Sequence, residues 1–162
     1  MKKEEIIEKL GLTPLVGEGG FAKEMYRSKK RLEGRSACGT IYYMLTNRSC
    51  STMHKLNDDE TWYYHGGQPL KMLLIYEDHS EIKKLGMDLP NGERPQVTIE
   101  AGVWQGCIMD RDGEYTLVST SMAPAYDPDG FVSGSYEQLL PLLSNEEHID
   151  LLSKLTDEPR YE

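Results

Sequence analysis

The side chains best suited to chemistry are concentrated in residues 51–67. This stretch holds two of the four histidines of the chain, His54 and His65, together with Trp62 and a run of acids that ends in Glu60. Imidazole nitrogens and carboxylate oxygens are donors that suit iron, manganese, nickel or zinc, and they also hydrogen-bond polar ligands. The stretch therefore predicts a catalytic site, a metal site or a binding pocket.

Composition limits the partners of such a site. The chain has 162 residues, enough for one domain, and 27 acidic against 18 basic residues give a net charge of -9, which opposes binding to nucleic acid. Cys38, Cys50 and Cys107 are too widely spaced for a zinc ribbon or a C-x-x-C motif, so we expect reduced thiols in a cytoplasmic protein. No window approaches the roughly eighteen apolar residues of a membrane span, so no membrane partner is expected.

The elements that must position the site are mostly short strands. A helix is expected over residues 4–10 with Gly11 as its cap, a strand over 21–26, and an exposed mobile loop over the basic residues 27–35. Further strands are predicted over residues 40–45, 70–76, 97–99, 103–109 and 115–122. Asp112-Gly113 predicts a hairpin that joins the last two.

This pattern predicts a mainly β sandwich or barrel in a single domain, residues 1–162, with its core at about 12–131. Leucines at helical spacing in 136–143 and 146–155 predict C-terminal helices, a segment of about 136–156 that covers an open edge or end of the barrel. The glycines that follow Glu18 are expected to allow a close crossing of two chain segments, because that stretch lacks the lysine and context of a phosphate-binding loop.

Several motifs in order carry a resemblance to a known family. They are E-G-G-F, E-M-Y-R-S, T-x-I-Y-Y-M-L, S-x-x-H-x-x-x-x-D-E-x-W-Y-Y-x-G-x-x-L, L-G-x-D, P-Q-V, G-V-W-Q and Y-T-L-V with M-A-P. Over about residues 12–131 the chain resembles the cupin superfamily, and within it cupin family 5, single-domain cupins of unknown function. The resemblance implies a double-stranded β-helix, or jelly-roll barrel, with a central pocket, and a homodimer.

The resemblance also places the metal motifs of the superfamily on this sequence. His54 takes the first histidine position and Glu60 the glutamate position, whereas Leu56 and Gln105 stand where two further histidines would be. His54, Glu60 and Gln105 are then a reduced set of donors for iron, manganese, nickel or zinc. The alternative is a metal-free cavity in which His54 and Glu60 hydrogen-bond a polar ligand.

Aromatic residues are expected to line the cavity beside this polar set, since a small barrel can hold one ligand among ring surfaces. The predicted ligand-binding residues are Glu24, Tyr43, His54, Glu60, Trp62, Tyr64, Trp104 and Gln105. The predicted function is the binding of a small polar, ring-containing metabolite.

The alternatives are enzymatic. In a sugar-nucleotide epimerase or isomerase, His54 would remove a proton next to a carbonyl, and Tyr126 or Tyr43 would act as the opposing acid. Arg94 or the basic residues 27–35 would supply the cation that nucleotide phosphates require. A metal-dependent cupin enzyme such as an oxygenase is the third alternative, which the missing histidines disfavour.

Overall fold

The structure, a computed structural model, describes residues 1–162 and consists mainly of β-strands. The strands are β1 (Thr13–Pro14), β2 (Phe21–Arg27), β3 (Arg31–Leu32), β4 (Arg35–Ser36), β5 (Gly39–Thr46), β6 (Ser51–Lys55), β7 (Glu60–Gly67), β8 (Leu70–Ile75), β9 (Ser80–Leu85), β10 (Glu93–Arg94), β11 (Gln96–Ile99), β12 (Trp104–Met109), β13 (Tyr115–Met122) and β14 (Val132–Ser133). The α-helices are α1 (Lys3–Leu10), α2 (Tyr136–Leu139) and α3 (Glu146–Leu155). Short 3-10 turns lie at Leu89–Asn91, Pro128–Gly130 and Leu140–Leu142.

Two six-stranded sheets form the body of the protein. The first has the strand order β1-β2-β5-β13-β7-β11, and the second has the order β10-β9-β8-β12-β6-β14. Neighbours within each sheet are antiparallel, except for the parallel pair of β9 and β10. This is the predicted jelly-roll barrel, with a short helix before it and helices after it.

The core lies between the sheets and on the outer face of each. Along β8, Leu70, Met72 and Leu74 pack between the sheets, while Leu73 and Ile75 pack against the C-terminal helices. Because both faces of this strand are buried, its sequence is a nearly continuous apolar run rather than an alternating one.

The helices form where the leucine spacing predicts them, but they cover the outer faces of the sheets rather than an open edge or end of the barrel. Helix α3 buries Leu151, Leu152 and Leu155 against the second sheet, and α1 buries Ile6 beside Met44 of the first sheet. The predicted cap of α1 is confirmed, since Gly11 adopts a left-handed conformation with φ of 64°. None of the helices has the length and apolar character that a membrane crossing requires.

The predicted hairpin at Asp112-Gly113 is wrong. Strand β12 pairs with β6 and β8 in the second sheet, whereas β13 pairs with β5 and β7 in the first. The turn at these residues therefore carries the chain from one sheet to the other. Local turn residues set the direction of a connection, but the sheet that receives the next strand depends on contacts far away in the sequence.

Residues 27–35 are also more ordered than the prediction of a mobile loop. Strands β3 and β4 form a two-stranded hairpin in which Arg31 pairs with Ser36 and Leu32 with Arg35. The turn between them has positive φ angles at Glu33 (51°) and Gly34 (81°), which are the angles that a two-residue primed hairpin turn requires. An Arg35–Asp58 ion pair of 2.8 Å fastens the hairpin to the barrel.

Candidate functional site

The main cavity, of about 710 Å³, opens at one end of the barrel and reaches into its interior. This volume is in the range of sites for small molecules. Its polar walls are Thr13, Glu18, Lys23, Glu24, Arg27, Thr40, His54, Glu60, Thr120 and Tyr126. The apolar walls include Leu15, Ala22, Ile41, Leu56, Met122 and Phe131.

His54 is the imidazole of this cavity. It lies on β6, is 1% exposed, and its ring stacks on Phe131 at 5.0 Å between ring centroids. Its Nδ1 lies 2.7 Å from the carbonyl oxygen of Thr52, which can only accept, so Nδ1 carries a proton and donates it. In the neutral ring the lone pair is therefore on Nε2, which no protein group hydrogen-bonds. His54 can act as a fixed acceptor or base.

Glu60 brings a buried carboxyl group to the same cavity. It begins β7, two residues before Trp62, so period-two alternation turns both side chains to the barrel interior. Its Oε2 accepts hydrogen bonds from Trp62 Nε1 and from Gln105 Nε2, each at 3.2 Å. Burial raises the pKa of Glu60 above its ordinary value of 4.5, and the nearby Glu18 carboxylate adds to this. His54 and hydrogen bonds from Thr120 and Gln105 oppose the rise.

Gln105 completes a polar row with His54 and Glu60. It is 3% exposed, lies opposite His54 on β12 and donates to Glu60, while its Oε1 is buried without a hydrogen-bond partner. Gln105 thus presents its amide N–H, not its oxygen, to the neighbouring acid.

This arrangement does not fit a metal ion. The Glu60 oxygen nearest Gln105 already accepts two N–H groups, and no group of three or more histidine, cysteine, aspartate or glutamate side chains has the geometry of a metal site. His65, the other histidine of residues 51–67, lies on the exposed side of β7 and hydrogen-bonds Ser119. Hydrogen bonding is therefore the chemistry that these side chains offer.

Glu18 is a cavity residue that the sequence analysis missed. Its Oε1 accepts from the Ser51 hydroxyl at 2.7 Å, and its backbone carbonyl accepts from Thr52. The sequence signal that could have identified it is the E-G-G-F motif, in which Glu18 is the acid. Those glycines do allow a close crossing: a Cβ on Gly20 would lie 2.6 Å from the Met44 carbonyl oxygen.

The four aromatic side chains expected around the ligand occupy other places. Tyr43 and Trp62 are both 1% exposed and pack edge to face in the core behind the cavity. Tyr64 is only partly buried, and its hydroxyl donates to the Gly67 carbonyl. Trp104 points outward to Leu139, because it is adjacent to the inward-facing Gln105 on β12. None of the four borders the main cavity; Tyr126 and Phe131 supply its rings.

Charged side chains surround the mouth of the cavity. Glu24 lines it as expected, but it is exposed and its Oε2 pairs with Arg27 at 2.7 Å. The Arg27 guanidinium lowers the pKa of Glu24 below its ordinary value. Lys23 also lines the cavity and forms no ion pair. The site therefore has acids and an imidazole inside and two cations at its entrance.

Tyr126 is the second predicted catalytic residue, and it lines the same cavity as His54. Burial raises the pKa of Tyr126 above its ordinary value of 10.0, and nearby carboxylates, first Glu18, raise it further. Its phenol therefore remains protonated at neutral pH. The structure thus places His54 and Tyr126 on the walls of one cavity.

Comparisons with known proteins agree with the fold. The family described as cupin superfamily (DUF985) matches residues 4–133. A crystal structure of a Shewanella oneidensis protein is similar over 98% of this chain and 99% of its own, with 33% identity and a TM-score of 0.88. A hypothetical protein from Leishmania major is similar over 98% and 100% of the two chains, with 30% identity and a TM-score of 0.85.

The structure is also similar, more distantly, to that of an enzyme. Oxalate decarboxylase from Bacillus subtilis is 13% identical, with a TM-score of 0.58, over 93% of this chain and 40% of its own. At that identity the likeness concerns the fold alone. No curated protein matches the sequence significantly.

Proposed function

Because the chain belongs to cupin family 5 of the cupin superfamily, we propose that it binds a small polar, ring-containing metabolite in the main cavity. The observation that carries the proposal is the state of His54. Its ring is held by the Thr52 carbonyl and by Phe131, its Nε2 has no hydrogen-bond partner in the protein, and the residue lines the cavity. A fixed acceptor in a mostly apolar, concave site is typical of specific ligand recognition.

The neighbouring groups define the ligand chemistry. The interior presents acceptors, namely His54 Nε2 and the carboxyl groups of Glu18 and Glu60, so it favours a molecule that donates hydrogen bonds, such as a polyol or an amine. Leu15, Ile41 and other apolar walls suit the flat faces of a ring. Lys23 at the entrance, which forms no ion pair, favours a negative group on the outer part of the molecule.

The first test is ligand retention by untagged protein. Native mass spectrometry and analysis of the extracted small molecules are expected to show one metabolite per chain in the wild type. His54→Asn preserves an N–H near the Nδ1 position but removes Nε2, so it should lose the metabolite. His54→Gln, which can place an oxygen near the Nε2 position, should retain part of it. His79→Asn, at an exposed histidine paired with Asp78, is the matched control.

Wild-type protein that retains no molecule and binds none from a metabolite library would contradict the proposal. Equal retention by His54→Asn and the wild type would also contradict the role of Nε2.

An epimerase or isomerase is the second candidate, because His54 and Tyr126 line one cavity. In this reaction His54 Nε2 takes a proton from the carbon next to a carbonyl, which leaves an enolate. The Tyr126 hydroxyl then protonates that carbon from the other face, and solvent returns the proton from His54 to Tyr126. The enzyme therefore consumes no oxidant or reductant.

Hydrogen exchange separates the enzyme from the binding protein. In D₂O, an epimerase introduces deuterium into the retained metabolite at the carbon next to the carbonyl. His54→Asn should abolish this exchange, while Tyr126→Phe should allow exchange but prevent inversion. Retention of the metabolite without any exchange would exclude this candidate and leave the binding function.

A further inference from the structure

A smaller cavity of about 260 Å³ lies beside the main one and is unusually cationic for this protein. Three of its nine lining residues are arginines, Arg27, Arg31 and Arg35, and one, Asp127, is acidic. The whole chain carries a net charge of -9, so this concentration of positive charge is not the average of the surface. We call this cavity the arginine pocket.

The pocket is held in place by the β3–β4 hairpin. The Arg35 guanidinium donates to the Ala125 carbonyl at 2.5 Å and pairs with Asp58 at 2.8 Å and with Asp127 at 3.8 Å. The hairpin is also joined to Ala125 by a backbone hydrogen bond from its N–H to the Ser36 carbonyl at 2.9 Å. The position of the pocket is therefore set before any ligand arrives.

Arg31 differs from its two neighbours because it has no acidic partner. Arg27 is neutralised by Glu24, and Arg35 by Asp58 and Asp127, but the only contact of the Arg31 guanidinium is the carbonyl of Gly34 on its own hairpin. Most of its five N–H donors are free. A guanidinium with this freedom is suited to bidentate binding of an oxyanion.

The arginine pocket continues from the main cavity. Arg27, Tyr126 and Pro128 line both, and Arg27 Nη1 lies 3.5 Å from the Tyr126 carbonyl oxygen between them. A single molecule can therefore have its polar ring in the main cavity and a negative group among the arginines.

We propose that the arginine pocket binds a phosphoryl group, with Arg31 as its principal ligand and Arg27 and Arg35 beside it. That this phosphoryl group is part of the metabolite rests on the proposed function, whereas the anion site itself is argued from the residues of the arginine pocket alone. A phosphate offers several oxygens to forked donors, and the free Arg31 fork can bind two of them at an opening that Arg27 and Arg35 also line. The substrate class is then a phosphorylated, ring-containing metabolite.

The test uses inorganic pyrophosphate and the full chain at low ionic strength, where surface charge is least screened. Calorimetry is expected to show saturable binding of one pyrophosphate per chain. Arg31→Gln should weaken it about tenfold, as expected for loss of a charge-assisted hydrogen bond. The affinity of Arg31→Lys should lie between those of the wild type and Arg31→Gln, because lysine keeps the charge but lacks the forked donors of arginine. Arg48→Gln, at an exposed arginine that pairs only with Glu162, should have no effect.

The controls separate this inference from the proposed function. His54→Asn should leave pyrophosphate binding unchanged even where it abolishes metabolite retention, so each proposal can fail alone. Malonate should bind at least tenfold more weakly than pyrophosphate; equal binding would make this a carboxylate site and overturn the phosphoryl assignment. Absence of saturable binding, or equal effects of Arg31→Gln and Arg48→Gln, would overturn the anion site itself. Arg31 is exposed, so its variants should fold, which circular dichroism can verify.

Discussion

Gln105 lies directly opposite His54 in the antiparallel pair of β6 and β12. Opposed residues share one face of a sheet, with Cβ atoms about 4.5–5.5 Å apart. The Gln105 amide continues across the barrel to Glu60 on β7, a strand of the other sheet. A buried polar row thus joins the two sheets, and two of its members, His54 and Glu60, line the main cavity.

Glu60 should make the protein less stable as the pH rises. The pKa of Glu60 in the folded protein is raised, mainly by burial, so folding favours the protonated carboxyl group. The stability that this preference contributes is fully present only below the ordinary pKa of 4.5. It is lost as the pH rises from there through the folded pKa. Glu60→Gln removes this ionisation while keeping an acceptor for Trp62.

The measurement is urea unfolding of Glu60→Gln and the wild type from about pH 4, near the ordinary pKa of a carboxyl group, to about pH 8. The free energy of unfolding of the variant should improve relative to the wild type as the pH rises. Glu24→Gln, at an exposed acid whose pKa is lowered, should show the opposite trend. A constant difference between Glu60→Gln and the wild type would contradict the prediction.

Restoring imidazoles should create a metal site. Leu56 borders the cavity and Gln105 faces His54, so Leu56→His with Gln105→His would place three imidazoles beside Glu60. We expect the double variant to retain manganese or nickel through dialysis better than the wild type, as measured by elemental analysis. The variant with asparagine at positions 56 and 105 controls for the added polarity. Equal metal content in the histidine and asparagine variants would show that these two positions do not converge on one metal ion.

Gly20 should be far less tolerant of substitution than Gly34. Both have positive φ, 69° and 81°, so alanine meets a similar backbone penalty at each. At Gly20 the added Cβ would also lie 2.6 Å from the Met44 carbonyl oxygen, whereas at Gly34 nothing lies within 4 Å. Gly20→Ala should therefore cost about 1–3 kcal/mol more in the free energy of unfolding. Equal losses in chemical denaturation would contradict this close crossing.

Only one thiol should react quickly in the folded protein. Burial raises the pKa of Cys50 to about 11 and that of Cys107 well above its ordinary value of 9.0, while Cys38 is only half-buried. A disulfide reagent at mildly alkaline pH should modify Cys38 first, and Cys38→Ser should remove the fast phase. All three thiols should react in denaturant. Two fast thiols in the native protein would contradict the burial of the other two.

Much of the fold is readable from local patterns. The strand at β13 and the helix at α3 were predicted because side-chain alternation and leucine spacing are properties of short segments. The order of motifs, which includes His54 and Glu60, predicts the barrel and these two residues of its cavity.

Local sequence patterns therefore identify many of the elements and the family, whereas the tertiary structure decides which faces and strands meet. Both faces of β12 are buried, so alternation alone could not show that Gln105 points inward and Trp104 outward to the helices. Strand pairing depends on contacts distant in sequence, which is why Asp112-Gly113 connects two sheets. The same long-range packing brings Glu18 to the cavity and Arg31 and Arg35 to a pocket beside it.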